Sequence, residues 1–142
     1  MTRIDFFLGL VAVSCGYAVL RGGKWERLVA LLLSSSIGLS FLVTSPVATR
    51  YRHAEWGVMV IDVLLFCALT AVALKSERYW PSWLSALSFL EAASHLFAFA
   101  PRMPRLIYGI MMGIWMYPML LILLAATWRH QRRRGLPTIR RS

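Results

Sequence analysis

Five stretches of this chain are longer and more apolar than a soluble domain of its size can use. They cover residues 4–20, 28–47, 56–74, 83–100 and 106–128, and little of the 142-residue chain lies between them. An α-helix rises 1.5 Å per residue, so about 20 residues cross a hydrocarbon core of ~30 Å, and runs of 17 or 18 cross with flanking side chains reaching to the interface. Only helices suit these runs, because a backbone in lipid must satisfy its hydrogen bonds within its own segment. The expected fold is therefore all-α: a polytopic membrane bundle of about five transmembrane helices, forming one domain over residues 1–128, followed by a basic tail over 129–142.

The breaks between runs carry turn and charge signals. Arg21-Gly22-Gly23-Lys24 ends the first run, Pro46 and Arg50-Tyr51-Arg52-His53 the second, and Lys75-Ser76-Glu77-Arg78 the third. Pro81 opens the fourth, and Pro101-Arg102-Met103-Pro104-Arg105 closes it. Trp25, Trp56, Trp80, Trp83 and Trp128 stand at run ends with Tyr51, Tyr79 and Tyr108, where amphipathic rings favour the headgroup level. Trp115 is the exception, in mid-run. A short first run also admits a cleaved signal peptide. Its single Arg followed by Asp5, and the weak cleavage signal at Ala12-Val13-Ser14-Cys15, favour a retained helix.

The net charge of +10 invites a nucleic-acid reading, but the cations fall between the runs and at the C-terminus, the pattern that sets membrane topology. Five crossings put 11 of the 16 Lys and Arg on the side of the C-terminus. The expected orientation is N-out and C-in, in a bacterial inner (cytoplasmic) membrane, with the bilayer and other membrane subunits as partners and no nucleic acid. Arg129, Arg132, Arg133 and Arg134 form a juxtamembrane cluster suited to anionic headgroups, each cation being worth about 1 kcal/mol near the surface. Cys15 and Cys67 lie inside apolar runs without metal spacing and read as small hydrophobes.

Asp62, Glu91 and His95 interrupt the apolar runs. A charge at the bilayer centre costs about 2.5–3.5 kcal/mol even on lenient scales, so these groups should face protein, water or each other. Counting from run ends, Asp62 lies roughly 9 Å below the outer surface, His95 roughly 7–8 Å and Glu91 roughly 14 Å. A short loop joins runs three and four, so Asp62 and His95 should meet. Glu91 and His95 share a face four residues apart, extended by Ser88. Tyr117 reaches Glu91's depth just before Pro118, which is expected to kink the last helix. The cluster Asp62–His95–Glu91–Tyr117 suits a proton relay, a quinone headgroup, or ligation of a metal or haem. It equally suits a hydrogen-bonded patch that fixes packing, and that reading takes precedence. Haem is disfavoured because His95 is the only in-run histidine; His53 and His130 lie at opposite ends. No metal site, catalytic motif or phosphate loop is present, and no enzyme activity is expected.

Gly109 and Gly113 form a GxxxG, and Ser34 and Gly38 repeat the small-residue spacing, as do Ser88 and Ala92. Internal packing is the expected use, contact with a partner helix the stronger claim. Met103, Met111, Met112, Met116 and Met119 make the last run adaptable.

Arg78-Tyr79-Trp80-Pro81-Ser82-Trp83, His95-Leu96 and Trp115-Met116-Tyr117-Pro118-Met119-Leu120-Leu121, running into Thr127-Trp128-Arg129-His130, resemble small multi-helix membrane proteins of alphaproteobacterial type. That resemblance covers runs three to five and implies no activity. The expected function is an accessory or assembly subunit of a larger inner-membrane complex, such as a bioenergetic one. A small proton-linked transporter or quinone/proton relay is the alternative, and a holin-like, membrane-perturbing effector a third.

Overall fold

A computed structural model describes residues 2–44, 56–99, 102 and 104–135. It is 91% helix, and no strand occurs among the described residues. Helix α1 spans Arg3–Arg21, α2 Lys24–Val43, α3 Trp56–Ser76 and α4 Trp80–Ser94. A 3-10 segment, His95–Phe99, continues α4, and α5 (Arg105–Ile114) and α6 (Met116–Arg134) complete the chain. Four helices are long and apolar enough to cross a membrane: α1, α2, α3, and Leu106–Arg134 taken through the α5–α6 junction.

Local chemistry explains the boundaries. Thr2 and Asp5 form a reciprocal capping box that starts α1. Pro81 sits in the first turn of α4, where its missing N–H costs nothing. Glu77, between α3 and α4, adopts a positive φ of 52°, which turns the chain back within three residues. The expected single helix over 106–128 is broken at Trp115. The amide nitrogen of residue 118 would have bonded the Ile114 carbonyl, and Pro118 has no such hydrogen. Trp115 keeps helical angles (φ −70°, ψ −25°), so the axis is interrupted without a turn.

Other expectations need correction. The α-helical part of the fourth run stops at Ser94, 15 residues after it begins, so this run does not form one long α-helix. The juxtamembrane cluster Arg129, Arg132, Arg133 and Arg134 forms the last turns of α6, which Gly135 caps. Tyr108, near the start of α5, is buried against the rest of the bundle. The expected ends of the second and fourth runs, with Arg50, Tyr51, Arg52, His53 and the C-terminal residues 136–142, lie outside the described residues.

The helices form a closed ring. α2 packs between α1 and α3, α3 pairs most extensively with α4, and α6 closes the circuit between α4 and α1. The core runs along one stripe per helix: Val29, Ala30, Leu33 and Ile37 on α2; Leu65, Leu69 and Val72 on α3; Leu84 on α4; Met116, Met119, Leu120 and Leu123 on α6. Large apolar side chains also coat the outside, among them Leu42 at 82% and Leu74 at 80% exposure.

Gly22 is the tightest point of the frame. A Cβ there would lie 2.3 Å from the Ala18 carbonyl oxygen and 2.7 Å from Glu26 Cβ. By contrast, no described atom lies within 4 Å of a Cβ built on Gly38 or Gly113. No described helix therefore packs closely on either residue, so the expected internal packing is absent at both. Gly22→Ala should destabilise the fold by about 1–3 kcal/mol through overpacking. Gly38→Ala should be neutral or stabilising by up to about 1 kcal/mol through helix propensity. Helicity followed through thermal or detergent-induced unfolding checks both values.

Candidate functional site

Each buried ionisable group lies on the inward stripe of its helix. On α3 the buried positions are Asp62, Leu65, Leu69, Val72 and Ser76, spaced by three and four. On α4 they include Pro81, Leu84, Ser88, Glu91 and Ser94, and the same face continues to His95. Because α3 and α4 pack side by side, the two stripes face each other. Thr70 Oγ1 and Ser85 Oγ meet at 2.7 Å midway along them.

Towards the start of α3, His95 Nε2 lies 2.8 Å from Asp62 Oδ2, with both side chains buried. The structure thus brings together the two residues that depth-counting paired. When Asp62 is ionised, Nε2 carries the proton and donates it to the carboxylate. His95 also marks the change from α to 3-10 geometry, and its N–H is shared between the Ala92 and Ala93 carbonyls. Its other ring nitrogen, Nδ1, has no hydrogen-bond partner among the described residues, nor does the buried Glu91 Oε2. Ser88 Oγ on the same face is likewise unpaired.

A cavity of about 320 Å³ opens beside this cluster. Asp62, Glu91 and Tyr117 line it, with Ser36, Ser40 and Thr44 of α2, and Arg3 of α1 also contributes. Gly109 and Gly113 form part of its α5 wall. Tyr117 shares the cavity and packs edge-on against Phe7 of α1 at 5.6 Å; no hydrogen bond to Glu91 is formed. Trp115 Nε1 donates to Ser94 Oγ at 2.9 Å, tying the α5–α6 junction to the end of α4. Among the described residues, no three His, Cys, Asp or Glu side chains group closely enough to hold a metal ion. Ser34 is exposed on α2, outside this wall.

A second buried centre lies at the other end and was not anticipated. Glu26, 1% exposed, accepts from Arg78 Nη1 at 2.8 Å, and His130 Nδ1 lies 4.0 Å from the same carboxylate oxygen. Gly23 makes room: a Cβ there would lie 2.8 Å from the His130 ring. Gln131 Nε2 donates to the Arg21 carbonyl. Arg78 and His130 therefore act as partners of a carboxylate, beyond serving as topology charges. The signal was available in the spacing of Glu26, Val29, Ala30 and Leu33, which puts the acid on the core stripe.

Compared with known protein families, curated proteins and solved structures, the chain matches none.

Arg78→Ala should cost about 1–3 kcal/mol, since it leaves a buried carboxylate without its guanidinium while Arg78 itself is partly solvated. Adding Glu26→Gln should recover part of that loss. A double-mutant cycle on unfolding free energies measures the coupling, and additive effects would show the pair to be energetically idle.

Proposed function

We propose that the chain is a multi-pass membrane protein whose Asp62–His95–Glu91 cluster takes up and passes protons in an intramembrane cavity, as a small proton relay or proton-linked carrier. The apolar outer coat supports the membrane reading, since soluble surfaces rarely carry so much contiguous apolar area. Five crossings remain consistent with the geometry. The 15 residues of α4 rise about 22 Å and the five of the 3-10 segment about 10 Å, close to the ~30 Å needed. With 11 of 16 cations on the C-terminal side, the proposed orientation is N-out and C-in.

The observation that carries the proton reading is the coexistence, at one level, of a hydrogen-bonded His–Asp pair and a neighbouring carboxyl with an unpaired oxygen beside open space. An unpaired buried polar atom costs about 1–3 kcal/mol; Glu26 Oε2 and His130 Nε2 are also unpaired, but Glu91 Oε2 has the cavity beside it, where a proton donor or acceptor can enter. His95 offers Nε2 to Asp62 and leaves Nδ1 free, so the ring can accept a proton on one nitrogen and release one from the other. Glu91, one helical turn away, is the next acceptor.

In proteoliposomes carrying a trapped pH indicator, an imposed proton gradient should collapse faster with the protein than without it. Glu91→Gln and Asp62→Asn should each slow that flux at least about tenfold, the scale on which one positioned proton carrier acts. Their helicity and insertion should stay unchanged. Equal flux in wild type and both variants would refute the relay.

A second reading, an accessory subunit of a larger complex, draws on one observation: Gly38 presents a small, exposed position on α2 to which another helix can come close. Co-migration with a larger assembly after mild detergent extraction is its expected outcome.

A further inference from the structure

An apolar groove runs between α1 and α6 on the outside of the bundle, away from the cavity. Val13 and Tyr17 form one wall, and Leu121, Leu124, Ala125 and Trp128 the other. The two helices run parallel and in register. Phe7 meets Tyr117 near one end and Arg21 meets Gln131 near the other, so both contacts pair residues 110 apart. Each wall continues, one turn further on, to an arginine. Val13 and Tyr17 lead to Arg21; Leu121, Leu124, Ala125 and Trp128 lead to Arg132. The Arg132 guanidinium already lies 4.6 Å over the Trp128 ring. The Gln131–Arg21 hydrogen bond holds both arginines at one level, and both are exposed. At this end Glu26 is buried against Arg78, so that carboxylate is already engaged.

We infer that this groove binds one anionic phospholipid, with an acyl chain along Val13, Leu121, Leu124 and Ala125 and its phosphate between Arg21 and Arg132. From Leu121 to Trp128 the groove rises roughly 10 Å, a length that covers the upper part of an acyl chain. Tyr17 and Trp128 stand at the glycerol level, where an aromatic ring with a polar edge is favoured. The two arginines supply the charge complement that selects an anionic over a zwitterionic headgroup. The inference rests on the membrane reading above and is independent of the proton relay.

Protein purified in mild detergent is titrated with phosphatidylglycerol and with phosphatidylcholine, and bound lipid is counted by native mass spectrometry. Phosphatidylglycerol should bind at least about tenfold more tightly. The double variant R21Q/R132Q should weaken it about thirtyfold, and Ala125→Trp, which fills the groove without changing charge, should weaken both lipids. The control R27Q/K75Q removes two exposed cations from α2 and α3, neither of which lines the groove, and should change affinity less than about threefold. Equal affinity for the two lipids, or equal loss from the two double variants, would overturn the inference. Alkaline carbonate washing of membranes separates the two levels. Release of the chain overturns the membrane reading together with the groove, whereas retention without lipid preference overturns the groove alone.

Discussion

An ionisable side chain on an apolar helix has to find its partner inside the bundle, and two such partnerships hold this ring of helices in place. At one end Asp62 of α3 meets His95 at the end of α4. At the other, Glu26 of α2 meets Arg78 from the α3–α4 turn, with His130 of α6 beside it. These contacts do not add much stability. Interhelical hydrogen bonds in membranes average only about 0.6 kcal/mol, and burying charge carries a desolvation cost of its own. Their effect is on specificity. A rotation of any of these helices that exposed the carboxylate would cost far more than the same rotation of a leucine, so the polar groups select one packing from several of similar apolar burial.

Among the described residues the backbone departs from regular α-helix at the end of α4 and at Trp115, and the second departure adjoins the cavity. The α4 helix tightens into 3-10 turns at His95, and the last helix is interrupted at Trp115, next to the cavity residues Met116 and Tyr117. Irregular backbone at membrane depth is tolerated where it lies within protein or lines an internal space. Trp115 donates to Ser94, so the two irregularities support each other. Proline drives the second: Pro118 removes the hydrogen bond that would have joined Ile114 to the following turn.

Much of the fold was legible in run lengths. The first three helices follow the apolar runs to within a few residues, because transfer of a long apolar segment dominates every other local preference. The meeting of Asp62 and His95 was also legible, since a short loop between two helices forces antiparallel neighbours and depth can be counted from their ends. The Glu26–Arg78–His130 centre was not read. Its members are 52 residues apart or more; Glu26 and Arg78 lie at or next to a turn and His130 in the polar end of α6, where a charge ordinarily faces water. The expected packing role of Gly38 and Gly113 failed for a related reason: spacing shows that a close approach is possible, but not which surface makes it.

The sequence by itself determined that this chain is helical, that its helices are long and apolar enough to cross a membrane, and that three ionisable groups interrupt them, because hydrophobic periodicity and segment length are local properties. Only the tertiary structure decided which atoms remain unsatisfied. Glu91 Oε2 is unpaired beside a cavity lined from α1, α2, α3, α5 and α6, and that space depends on how several helices close around it. The same holds for the second carboxylate: Glu26 is hidden because Gly22 and Gly23 let α1, α2 and α6 come together, a contact between residues more than a hundred positions apart.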